Sequence, residues 1–159
     1  MVSGALLSCS HDDVMRTPED IMGIWVPENQ ENLYIEFSDN NEVHYLKIDY
    51  KDSEAIGLWD LDVYYYEPGY NLVIYINHEN EAMVYKIINL DSKQFTWCKV
   101  KDIDPETINR ENIGQLIGQI LNEAQEGFAT NPELYETFRK ISETEYMDML
   151  ERLDIFYPW

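Results

Sequence analysis

From Ile24 onward the chain carries short apolar alternations separated by turn-rich tetrads. Leu33, Ile35 and Phe37 alternate with Tyr34, Glu36 and Ser38, a period of two that marks a half-buried strand. Ser38-Asp39-Asn40-Asn41 follows as a turn, then a strand from Val43 to Ile48, then a second turn at Lys51-Asp52-Ser53-Glu54. In the next run Trp59, Leu61, Val63 and Tyr65 share one face, and Leu58, Asp60, Asp62 and Tyr64 share the other. Glu67-Pro68-Gly69-Tyr70 turns the chain again. Leu72, Ile74 and Ile76 are then expected to face inward, with Val73 and Tyr75 opposite. His78-Glu79-Asn80-Glu81 closes another hairpin, and runs at Val84–Leu90 and Phe95–Val100 complete the series. With Ile24–Pro27 this makes about seven short strands at regular spacing. Such spacing predicts an up-and-down antiparallel meander, closed into a barrel or strongly curled. Closure would remove the exposed edges of the sheet.

Near residue 102 the pattern changes to a helical one. Ile113, Leu116, Ile117, Ile120, Leu121 and Ala124 line one face of a helix, and Gly127 is placed to cap its end. Asn131-Pro132 reads as the start of a second helix, with Leu134, Tyr135, Phe138 and Ile141 as its apolar stripe. Ser142-Glu143-Thr144-Glu145 opens a third, striped by Tyr146, Met149, Leu150 and Leu153. Gly114 and Gly118 are expected to let the first helix approach the sheet closely. The strands carry apolar residues on both parities, Val73 beside Leu72 and Leu58 beside Trp59, so the outer face of the sheet needs a cover. The helices and the apolar end Phe156, Tyr157 and Trp159 are the candidates. The fold class expected is α+β, mainly β. Residues 1–17 form a tail, 18–102 the barrel, and 103–159 a helical appendage packed on it.

Charge narrows the partners. The chain has 159 residues, with 31 Asp and Glu against 11 Lys and Arg, a formal net charge of −20. That repels nucleic acid and anionic membrane surfaces. No stretch is long and apolar enough for a transmembrane helix. His11, His44 and His78 are scattered, no zinc spacing occurs, and no metal or cofactor is expected. No phosphate-binding loop, dinucleotide fingerprint or nucleophile elbow is present. Asp60 and Asp62 could serve as paired carboxylates, but they lie opposite Trp59 and are expected to point into water. Asp39-Asn40-Asn41-Glu42 reads as a hairpin turn, not a calcium loop. Cys98 sits in an apolar strand and reads as a buried, inert thiol. The twelve tyrosines, three of them at Tyr64-Tyr65-Tyr66, suit half-buried strands as well as binding surfaces.

At the N-terminus, Leu6-Leu7-Ser8-Cys9 resembles a bacterial lipobox, in which the cysteine is lipidated after cleavage. No Lys or Arg precedes the apolar run. Further on, Gly23-Ile24-Trp25 opens the strand series, and Tyr34-Ile35-Glu36-Phe37, Gly57-Leu58-Trp59, Leu72-Val73-Ile74 and Tyr85-Lys86-Ile87-Ile88-Asn89-Leu90 follow in order. This resembles the lipocalin-like domains of bacterial surface lipoproteins over residues 18–100. The resemblance implies a small barrel, a possible apolar cavity, and a place in the bacterial cell envelope. It makes Trp25, Trp59, Tyr65 and Trp97 the candidate ligand contacts and Cys9 the lipidation site. The sequence departs from the family in its strand number and in the helical segment that follows. An interior filled by aromatic side chains is the other outcome for so narrow a barrel.

The function expected is non-enzymatic binding of an apolar small molecule or an envelope partner, with membrane contact only through a lipid at Cys9. The alternative is an acidic protein-binding module, of inhibitor or immunity type, acting on a basic partner. Salt separates the two, because charge-driven capture weakens steeply with salt and apolar binding does not.

Overall fold

The computed structural model describes residues 17–108 and 111–159. Eight antiparallel strands close into a barrel in sequence order: β1 (Gly23–Pro27), β2 (Leu33–Phe37), β3 (Glu42–Lys51), β4 (Glu54–Glu67), β5 (Leu72–Ile76), β6 (Ala82–Leu90), β7 (Gln94–Ile103) and β8 (Tyr135–Ile141). The expected meander is present, with tight turns. Asp52 and Ser53, both at positive φ, connect β3 to β4 between the paired Lys51 and Glu54, the backbone of a two-residue hairpin.

The eighth strand corrects the sequence reading. Residues 135–141 are not a helix. They pair with β7 from Cys98↔Tyr135 to Gln94↔Arg139, and with β1 from Pro27↔Phe138 to Ile24↔Ile141. The spacing of Phe138 and Ile141 looked helical because both are apolar and three apart. In the strand they point to opposite faces, and each face is buried separately. Phe138 enters the barrel interior, and Ile141 lies under a helix outside it. The barrel therefore does not end at residue 102. It is completed by a strand that returns after the first helix.

That helix, α1 (Ile113–Gln125), lays Leu116, Ile117, Ile120, Leu121 and Ala124 on the outer faces of Leu72, Ile74, Ala82 and Val84. It ends where Gly127 takes φ +88°. The second helix, α2 (Glu143–Arg152), is capped by the Ser142 hydroxyl, which accepts from Glu145 N at 3.0 Å. Its Tyr146, Met149 and Leu150 cover Ile24, Leu46, Ile48 and Ile141. The chain end then crosses β3 and β4, with Ile155 and Tyr157 in the same cluster. Gly57 makes this crossing possible, since a Cβ there would lie 2.6 Å from Ile155 Cγ2. The expected cover for the outer face is supplied by the two helices and Tyr157, whereas Phe156 is 83% exposed and takes no part. The expected role of Gly114 and Gly118 is not, because a Cβ on either would meet nothing within 4 Å.

Inside, the barrel splits into a filled end and an open one. The 3-10 turn Pro18–Ile21 brings Ile21 against Trp25, Phe37 and Val43, and Trp25 Nε1 donates to Ile21 O at 2.8 Å. Phe95 meets Trp25 edge-on at 4.8 Å and stacks on Phe138 at 4.5 Å. These rings exclude water and close that end.

Candidate functional site

The opposite end of the barrel holds a cavity of about 380 Å³ to which every strand contributes. Pro27, Ile35 and Tyr45 come from β1–β3, Asp62 and Tyr75 from β4 and β5, Met83 and Tyr85 from β6, Trp97 from β7, and Glu136 and Phe138 from β8. Asn77, His78 and Glu79, from the β5–β6 turn, form part of the rim. One wall is a continuous set of rings. Tyr85 stacks on Trp97 at 4.0 Å, and Trp97 meets Phe138 edge-on at 5.4 Å. Its floor is the aromatic cluster of the filled end.

Polar groups gather around a buried carboxylate. Asp62 is only 1% exposed. Tyr75 Oη donates to its Oδ2, and His78 Nδ1 donates to its Oδ1 at 2.9 Å. The other His78 nitrogen, Nε2, lies 3.4 Å from Asp60 Oδ2. The hydrogen bond goes to Asp62 alone, and the ring forms an ion pair with both carboxylates when it is protonated. The hydrogen bond to Asp62 raises the pKa of His78 above its ordinary value, against the opposing effect of burial. Burial, then the charge of Asp62, pushes the Tyr75 hydroxyl well up. Tyr45 is raised by burial first and by Asp62 and Asp60 next. Both phenols are therefore neutral donors near neutral pH. On the far wall Glu136 Oε1 accepts from Trp97 Nε1 at 3.2 Å.

Two faces were assigned the wrong way round by parity. On β4, Asp62 and Tyr64 point inward, and Trp59 and Tyr65 point outward. On β5, Val73 and Tyr75 are the interior residues, and Leu72 and Ile74 lie under α1. The cause is the helical cover, which makes the outer face as apolar as the inner one. Leu58 and Leu61, on opposite faces of β4, are 45% and 44% exposed, so hydrophobicity there carries no information about direction.

The candidate ligand contacts separate accordingly. Trp97 lines the cavity. Trp25 is in the interior but belongs to the filled end. Trp59 sits outside, 5.6 Å from the Tyr157 ring and 5.3 Å from Trp159. Tyr65 packs outside, in the cluster under α1. Cys9 lies outside the described residues. Asp62, weighed with Asp60 as paired carboxylates and expected to point into water, is buried in the cavity wall, and Tyr45, Tyr75, His78, Tyr85 and Glu136 were not singled out as site residues. Their common signal, inward parity at one end of the barrel, becomes readable only once the faces of β4 and β5 are known.

No family model, curated protein or solved structure matches the chain.

Proposed function

We propose that this chain is a lipocalin-like binding protein, non-enzymatic, that holds a small, largely apolar molecule in the open end of its barrel. The observation that carries the reading is the cavity of about 380 Å³ walled by Ile35, Met83, Tyr85, Trp97 and Phe138. Its size is toward the lower end of the ~300–1,000 Å³ of small-molecule sites, and its mix of rings with a few converging polar groups is their usual make-up. A barrel filled from end to end would offer no such space. The cavity favours small-molecule capture over the acidic protein-binding alternative, which needs no interior room. The resemblance of Leu6-Leu7-Ser8-Cys9 to a lipobox supports an envelope location with a lipid on Cys9. The intact mass of the protein taken from its host's membrane tests that lipid directly.

The binding reading is tested with N-phenyl-1-naphthylamine, a neutral probe that brightens in apolar surroundings. The wild-type chain should enhance its emission saturably. Met83→Trp, which fills the cavity from β6, should abolish the enhancement while the urea midpoint stays close to that of the wild type. A folded wild-type protein that leaves the probe dim would overturn the reading.

A further inference from the structure

We infer that the cavity selects an organic cation, an aromatic or aliphatic body carrying one ammonium group, whose head pairs with Asp62. This deepens the binding reading above and rests on it.

The first support is the sign of the lining. Among the described residues, Asp62, Glu79 and Glu136 line the cavity and no lysine or arginine does. The one base among the described lining residues, His78, is already held by a hydrogen bond to Asp62. An anionic ligand, such as a fatty acid, would meet carboxylates on both walls of the cavity, while Lys47 lines the adjoining pocket with Leu33 and Tyr45 and not this one. Burying a charge without a partner is prohibitive, so that class is disfavoured. A cation meets the reverse situation.

Placement of the negative charge matters more than its amount. Asp62 is fixed at the cavity wall by Tyr75 and His78, so it is already desolvated and oriented before any ligand arrives. Asp62 is 1% exposed behind Tyr75 and His78, so an incoming ammonium takes the place that the His78 ring holds on Oδ1. Tyr45, Tyr85 and Trp97 stand around the same space and present π systems, which attract ammonium groups. The molecule also shows how a cation sits there. The His78 ring, flat and cationic when protonated, lies against Asp62 with the Tyr45 ring 5.5 Å away. His78 belongs to a turn, so it acts as a tethered competitor at the rim of the site.

The experiment compares 2-phenylethylammonium with 3-phenylpropionate, bodies of similar size and opposite charge, at pH 7 and fixed ionic strength. Each is titrated calorimetrically and by displacement of N-phenyl-1-naphthylamine. The ammonium compound should bind at least about tenfold more tightly than the carboxylate, a difference of about 1.4 kcal/mol. Asp62→Asn should erase most of that preference, read as the ratio of the two dissociation constants, in a variant that still unfolds cooperatively in urea. The variant changes a net charge of −20 by one, so a lost preference reports the local carboxylate and not the overall field. His78→Ala, on an exposed-side turn, guards against an Asp62 variant that does not fold. Removing the competitor should tighten 2-phenylethylammonium several-fold. Equal affinities for the two ions, a preference that survives Asp62→Asn, or a His78→Ala chain that binds the cation no better would overturn the inference. In each of those results the naphthylamine still binds. If it does not bind the wild type at all, the cavity reading itself has failed.

Discussion

Tyr75→Phe isolates the bond on which the site's electrostatics depend. The substitution removes one oxygen and keeps the ring, so the edge-on contacts of Tyr75 with Tyr85 at 6.4 Å and Trp97 at 6.1 Å remain. No cavity of consequence forms, and the lost packing is small. What is lost is a donor to a carboxylate that is 1% exposed and cannot recruit bulk water in its place. Hydrogen bonds to charged groups contribute about 1.5–3 kcal/mol, and a buried acceptor left unmade sits toward the upper part of that range. The expected loss is about 2 kcal/mol, which at a urea slope of about 2 kcal/mol/M moves the midpoint down by about 1 M. The assay is urea unfolding followed by far-ultraviolet circular dichroism at pH 7. A double-mutant cycle with Asp62→Asn supplies the control. In the Asn background the same oxygen meets a neutral acceptor, so its removal should cost about half as much, a coupling of about 1 kcal/mol. A Tyr75→Phe cost that is equal in both backgrounds, or below about 0.5 kcal/mol in the wild type, would refute the account of Asp62 as a carboxylate held by Tyr75.

Other expectations test other parts of the molecule. The pKa of His78 is raised in the folded chain, so its protonated form favours folding. That contribution is fully present below the unfolded value of about 6.5 and is lost as pH rises through the folded value. Nuclear magnetic resonance titration of the ring should give a midpoint above about 6.5 in the wild type and a lower one in Asp62→Asn. Gly118→Ala lies on the open side of α1, where a Cβ meets nothing, and should stabilise the chain by up to about 1 kcal/mol through helix propensity alone. A destabilised variant in urea unfolding would restore a packing role for this glycine. A chain ending at Asp102 lacks β8 and leaves β1 and β7 each with an open edge, so it should aggregate and bind a hydrophobic dye. A monomeric truncated chain with the full-length melting temperature would contradict barrel closure by β8.

Local patterns in the chain were enough to determine the strands from β1 to β7, the turns between them, and both helices. Each is set by interactions within a few residues: alternation along Leu33–Phe37, the Asn and Asp residues that tolerate positive φ in turns, the stripe from Ile113 to Ala124, the Ser142 cap. The need for a cover was also legible, because apolar residues on both parities cannot all face a narrow interior. Which parity faced inward was not. Covering the barrel from outside makes both faces of β4 and β5 apolar, and alternation then identifies a strand without orienting it. The same ambiguity hid β8, whose Phe138 and Ile141 are buried on opposite sides by different neighbours. Asp62 shows the limit most plainly. A carboxylate between Leu61 and Val63 reads as a solvent-facing residue, because burying it alone costs too much. It is buried here because Tyr75, from the next strand, and His78, from the turn after that, donate to it. The β4–β5 pairing brings those donors to Asp62, and only barrel closure sets Trp97, Glu136 and Phe138 across the cavity from them, so the chemistry of the cavity was decided by the tertiary fold.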